Sequence, residues 1–153
     1  NFIKNNPMSE QRSLGADLLP QFYNWDGFNP TAMMSQEEIT QLMNIHEFGA
    51  HSYSHASMEF ETDDYFQEDL RKCRDYFSSN LKSPVNIYTF PNGSYRENQL
   101  QMALQSGYNH ILLVNDLFTK ADTGVYNRFG FEAQSKREVL FRALGGLAKV
   151  GVD

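Results

Sequence analysis

A single cysteine, Cys73, stands in the 153 residues, so no disulfide can form within the chain. That leaves the redox compartment open. Basic clusters are scarce as well: none is longer than Lys136-Arg137, and the formal net charge is −6. A phosphate-backbone footprint is missing, so nucleic acid is not an expected partner. Long apolar runs are also absent, because the longest aliphatic stretch, Ile111-Leu112-Leu113-Val114, falls far short of the ~20 residues a membrane-spanning helix needs. No membrane-spanning segment is expected. The chain opens on Asn1 without a charged-then-apolar segment, so no signal peptide is visible in it. Internal repeats and low-complexity segments are lacking too.

What is present describes a packed protein. Hydrophobic residues make up 41% and aromatics 14%, with 12 Phe and 8 Tyr, well above a disordered composition. The length suits one domain with a sizeable core, which predicts a single unit over 1–153.

Asn, Pro, Gly and Gln dominate Asn1 to Pro30, and its apolar pairs Leu18-Leu19 and Phe22-Tyr23 follow no clean period, so this stretch reads as mostly irregular. Ser35-x-x-Glu38 is a capping box, predicting a helix over Gln36 to Asn44 with Ile39, Leu42 and Met43 inward. Ile45 to Ala50 then reads as a brief strand. From Thr62, a good N-cap, Phe66, Leu70, Cys73 and Phe77 recur at helical spacing to about Asn80, which makes Cys73 a core residue. Asp63-Asp64 follows that cap, where the helix dipole favours negative charge, and is read as structural. Pro84 breaks the helix. Val85 to Phe90 reads as a strand, Pro91-Asn92-Gly93-Ser94 as a turn, and Glu97 to Ser106 as a helix closed by a left-handed Gly107. Ile111 to Val114 is a further buried strand, and Ser135-x-x-Glu138 opens a helix expected to bury Val139, Leu140, Leu144 and Leu147. Helices alternating with short apolar strands predict an α/β fold with parallel strands.

The chemistry concentrates in Glu47-Phe48-Gly49-Ala50-His51-Ser52-Tyr53-Ser54-His55. Two imidazoles four residues apart would share a face across one helical turn, and neutral imidazoles are favoured zinc ligands. The motif follows a probable strand end, where ligands bind in α/β sheets. Ser52 or Ser54 could steady a ring from behind.

Taken in order, these elements resemble the polysaccharide deacetylase family, the NodB-homology carbohydrate esterases. His51-Ser52-Tyr53-Ser54-His55 matches the family's His-Ser/Thr-x-x-His motif residue for residue, and Glu47 to Ala50 is a close variant of its lead-in. Phe90-Pro91-Asn92-Gly93-Ser94-Tyr95 is similar to the family's Arg-x-Pro-Tyr/Phe-Gly segment, with Asn92 at the aromatic position and Thr89 where the Arg would stand. Tyr126-Asn127-Arg128-Phe129-Gly130-Phe131 is similar, more loosely, to a stretch in which an Arg closes the domain.

The resemblance implies a partial or distorted (β/α) barrel and a metal-dependent hydrolase that removes N-acetyl groups from amino sugars of a polysaccharide. It implies that His51 and His55 ligate a divalent metal, zinc first, and that the Asn92 backbone amide receives the oxyanion. Pro91 and Tyr95 become candidate substrate-binding residues, with Tyr95 equally a packing residue. An extracellular or cell-envelope location is implied as well. The family's Asp-Asp pair, which supplies the third ligand and the general base, has no match upstream of His51. Asp17 and Asp26 lack its setting. The late catalytic His has no counterpart either, since His46 and His110 read as polar residues at element boundaries. The expectation is therefore a domain incomplete at its N-terminal side, beside the alternative of a degenerate module that binds glycan or a protein partner without turnover.

Overall fold

The computed structural model of the chain describes residues 3–22, 31–120, 123–130 and 135–146. Three parallel strands, β1 (Ile87–Thr89), β2 (His110–Val114) and β3 (Val125–Arg128), form a sheet in the order β1-β2-β3. The predicted α/β fold is present, and the open parallel sheet is part of a (β/α) barrel of the polysaccharide deacetylase type. Ala50 extends the sheet by one parallel bridge to Tyr88. Its amide donates to the Ile87 carbonyl at 2.8 Å and its carbonyl accepts from the Thr89 amide at 3.0 Å.

That bridge is all that remains of the strand expected over Ile45 to Ala50. After α2 (Gln36–Leu42), the amides of Asn44, Ile45 and His46 donate to the carbonyls of Gln41 and Leu42. Backbone groups spent on a helix end cannot pair with a sheet. The capping box itself forms in full, with Ser35 Oγ accepting from the Glu38 amide and Glu38 from the Ser35 amide at 2.7 Å. Ile39, Leu42 and Met43 are half-buried, the least exposed residues of the helix.

The long amphipathic helix is α3 (Asp63–Tyr76), with Thr62 Oγ1 accepting from the Tyr65 amide and Phe66, Leu70 and Cys73 buried. It widens into one π-turn over Phe77–Leu81 and stops at a left-handed Lys82, just before Pro84. Asp63 fulfils its structural assignment, because it pairs with Arg96 and accepts from Asn98 Nδ2 at 2.8 Å, tying α3 to the start of α4 (Glu97–Gln105). The Arg96 bond holds its carboxyl below the usual range. Gly107 closes α4 at φ +90, a backbone conformation that glycine adopts without steric cost.

The core joins α3 and α4 to one face of the sheet. Phe66, Tyr88, Phe90 and Tyr108 pack ring on ring, with centroids 5.1 to 6.0 Å apart. Leu70, Cys73, Leu100, Ala103, Ile111 and Leu113 complete the cluster. Gly49 lets the segment before the histidines approach β1, because a Cβ there would meet Ile87 Cγ2 at 2.9 Å and Ile87 Cβ at 3.0 Å. Gly49→Ala is therefore expected to cost about 1–3 kcal/mol in urea denaturation, through forced displacement of the Ala50 bridge.

Burial, and then the charge of Asp69, pushes the Cys73 thiol up to about 12 from an ordinary 9.0. Burial drives Tyr88 and Tyr108 the same way. The folded state holds these protons more tightly, so stability is complete below pH 9 and falls as pH rises from 9 toward 12. Urea midpoints measured across that window should decline, and Cys73 should resist alkylation until the chain is unfolded.

Two further expectations fail. The N-terminal stretch holds a helix, α1 (Met8–Phe22), where irregular chain was predicted. Pro7 lies just outside its first turn and accepts from the Glu10 and Gln11 amides, so it starts the helix instead of breaking it. Tyr23 and Asp26 lie outside the described residues. The last helix, α5 (Lys136–Ala143), begins at Ser135 as predicted, but Val139, Leu140 and Leu144 are 42%, 61% and 76% exposed. An apolar stripe reports a face and does not supply what covers it. Leu147 lies outside the described residues.

Candidate functional site

All four sheet members run in one direction, so the segments after Ala50, Thr89, Val114 and Arg128 leave the sheet at its C-terminal edge. His51 stands at that edge, directly after the Ala50 bridge. The next rung of a parallel ladder would run from the Ser52 amide to the Thr89 carbonyl. His51 takes it instead: its Nδ1 lies 3.0 Å from Thr89 O. A carbonyl only accepts, so Nδ1 carries the proton and the Nε2 lone pair is left for a ligand.

The turn that follows is not helical, contrary to the face-sharing expected from one helical turn. Ser52 and His55 both adopt positive φ, at 65 and 57. Two left-handed residues fold the loop back on itself, bringing the imidazoles edge to face at a centroid distance of 5.0 Å and an interplanar angle of 79°. Two imidazoles on one tetrahedral zinc would place their centroids roughly 5 Å apart, given Zn–N bonds of about 2.0–2.1 Å. The separation of the pair matches two positions of such an ion. Among the described residues, no third His, Cys, Asp or Glu joins them.

Strained backbone persists where the surroundings over-determine it, and here Asp69 does so. This residue of α3 is 4% exposed and accepts four hydrogen bonds from the loop. The donors are Ser52 Oγ at 3.1 Å, the Tyr53 amide at 2.9 Å, the Ser54 amide at 3.0 Å and Ser54 Oγ at 2.7 Å. Ser52 Oγ in turn accepts from the His55 amide at 2.9 Å. The serines therefore brace the loop backbone toward Asp69, and neither holds a ring as the sequence had suggested; the Thr89 carbonyl does that for His51. Asp69 was overlooked in the sequence, although a signal was available. It falls three residues after Phe66 and one before Leu70, an acidic residue inside the apolar stripe, where a lone charge is costly unless partnered.

Asn92 follows β1 in the short turn Pro91–Gly93, at φ 57, with its side chain donating to Ser57 Oγ at 3.0 Å. Its backbone amide takes no acceptor among the described residues. Pro91 is buried, so it shapes the turn from within, while Tyr95 is half-buried and stacks on Phe90 at 4.8 Å. Tyr95 is thus at least a packing residue. His110 is the first residue of β2 and its Nδ1 meets Tyr126 Oη at 3.2 Å, at the opposite end of the sheet from His51. His46 lines a cleft of about 460 Å³ with Asn44, Phe48 and Asn86, also at that far end. The larger cleft is therefore away from the histidine pair, and a smaller one of about 310 Å³ reaches His51, Ser52 and Tyr53 beside Cys73 and Tyr76. Exposed Asp17 sits on α1, with no part in this site.

The family model described as polysaccharide deacetylase matches residues 22–111. The chain belongs to the polysaccharide deacetylase family. Among solved structures it is similar to the Streptococcus pyogenes deacetylase PplD in complex with acetate, at 19% identity and a TM-score of 0.63, over 73% of this chain and 51% of that one. A polysaccharide deacetylase from Bacillus cereus aligns at 16% identity and 0.61, over 87% and 47%. A de-N-acetylase from Aggregatibacter actinomycetemcomitans aligns at 11% identity and 0.60, over 89% and 71%. At these identities the likeness is one of fold. This chain spans about half the length of the first two. No curated protein sequence matches it.

Proposed function

We propose that the chain carries the histidine half of a metal-dependent hydrolase that removes N-acetyl groups from amino sugars of a polysaccharide. The observation that supports this most is the approach of the His51 and His55 rings at 5.0 Å with His51 Nδ1 committed to Thr89. A bound divalent ion, zinc in the first instance, would supply Lewis acidity toward the acetamide carbonyl and lower the pKa of a water. His51 offers Nε2 because Thr89 fixes its tautomer, and His55 is positioned by the hold of Ser52 on its amide. The Asn92 amide, unspent within the described residues, is set to receive the oxyanion. Tyr95 offers the accessible part of its ring as a wall for a sugar, on the turn that buried Pro91 shapes. The general base and the third ligand are not assigned to residues of this chain. An extracellular or envelope setting goes with such a substrate.

Acetate release from N-acetylglucosamine oligomers provides the test. Activity should vanish on chelation and return with zinc; undiminished release from protein shown to be metal-free would sink the reading. The two-ligand set among the described residues favours one alternative, a module that binds glycan without turnover. Saturable oligomer binding with no acetate released, metal-loaded, would select it.

A further inference from the structure

Ser57 lies two residues past His55 and is 3% exposed, between the fully buried Ala56 and Met58. Its hydroxyl accepts from Asn92 Nδ2 at 3.0 Å, across 35 residues of chain. The segment that holds it is anchored on the start of α4. Buried Gln99 donates from Nε2 to the Met58 carbonyl at 2.8 Å, and Arg96 Nη1 donates to the Glu59 and Glu61 carbonyls at 2.7 Å each. Only Ala56 separates His55 from this braced segment.

At the other end of the bond stands the turn after β1. Asn92 takes φ 57 and ψ 9, a left-handed conformation that Asn adopts more readily than most residues with a Cβ. The Gly93 and Ser94 amides close the turn onto the Phe90 and Pro91 carbonyls at 3.1 and 3.0 Å. The Pro91 carbonyl and the Asn92 amide belong to one planar peptide unit, so the Ser94 bond also directs the Asn92 N–H. The side-chain bond to Ser57 holds the same residue from its other side. Two bonds therefore set the aim of that amide, and one of them leads to the histidine loop. The aromatic residue of the family motif has no side-chain amide with which to make it.

We propose that Ser57 is a positioning residue, tethering the Asn92 side chain so that the oxyanion-receiving amide stays in register with the histidine loop. The proposal rests on the hydrolase reading for its consequence, while the tether itself is measured without turnover. A carbonyl that must meet an ion and an N–H together tolerates little play, because a misplacement of about 1 Å can cost about a hundredfold in rate.

Ser57→Ala and Asn92→Gly each remove the bond and keep the backbone amide of residue 92, and glycine also suits the left-handed turn. In the metal-free chain, NMR relaxation should give that amide an order parameter of about 0.85 in the parent and below about 0.6 in either variant. In the zinc-loaded chain, kcat for acetate release should fall about tenfold in each variant with KM changed less than about twofold, and the double variant should be no slower than the singles. A role in folding alone would lower the urea midpoint and leave kcat per folded, zinc-loaded site at the parent value. Asn92 is exposed, so the glycine variant carries the test if Ser57→Ala does not fold. An unchanged order parameter, an unchanged kcat, or losses that multiply in the double variant overturn the proposal. Loss of order in the variants with no acetate released by the parent would keep the tether and sink the hydrolase; acetate release with order and rate untouched in both variants would do the reverse.

Discussion

His51→Ala and His55→Ala should each abolish stoichiometric zinc binding and lower acetate release by about a thousandfold or more. The magnitude follows from the several kcal/mol of transition-state stabilisation that a Lewis-acidic ion contributes, at about 1.4 kcal/mol per tenfold in rate. Neither ring is buried, and neither belongs to the core cluster, so the thermal stability of the metal-free chain should stay within about 0.5 kcal/mol of the parent. That contrast separates a ligand from a structural residue. Zinc content by elemental analysis, beside acetate release, decides it, and a variant that keeps both metal and rate would refute the assignment. Removing His51 also leaves the Thr89 carbonyl without its imidazole donor. At an exposed edge water replaces that bond, which is why the stability effect is small.

Asp69→Ala should have the opposite profile, with a loss of about 3 kcal/mol in urea denaturation of the metal-free chain. The carboxylate is buried and accepts from two backbone amides and two hydroxyls. Truncation strands these donors beneath α3, and hydrogen bonds to charged groups are each worth about 1.5–3 kcal/mol, not additively. Without that hold, the left-handed Ser52 and His55 lose the contacts that fix them, and zinc affinity should fall about 10- to 100-fold. Asp69→Asn keeps the volume and one good acceptor, and should lie between. Unchanged stability together with unchanged zinc affinity in Asp69→Ala would show that the loop holds its shape without α3.

Much of this architecture was legible before any coordinates. Ser35, Thr62 and Ser135 each cap the helix they were expected to cap, because a cap is settled by backbone amides three residues away. The stripe of Phe66, Leu70 and Cys73 named the buried face of α3 for the same local reason. Local patterns failed where the partner was distant or absent. Ile45 has the side chain of a strand residue, yet the carbonyls of α2 captured its amide first. Leu140 and Leu144 have the spacing of a core face, and no described element covers them.

The histidine pair divides along that same line. By itself the sequence determined which residues could ligate, through the identity and spacing of His51 and His55, and it determined the family through the segments around them. Only the tertiary structure decided how the rings meet. The face-sharing of a helical turn gave way to a loop with two left-handed residues, held by Asp69 from below and Thr89 from the side. It also brought the Arg128 guanidinium to the Thr89 hydroxyl. Those contacts join residues 15 to 39 positions apart, and pairing at that range is set by how the sheet and helices pack, not by the near neighbours that a sequence pattern records.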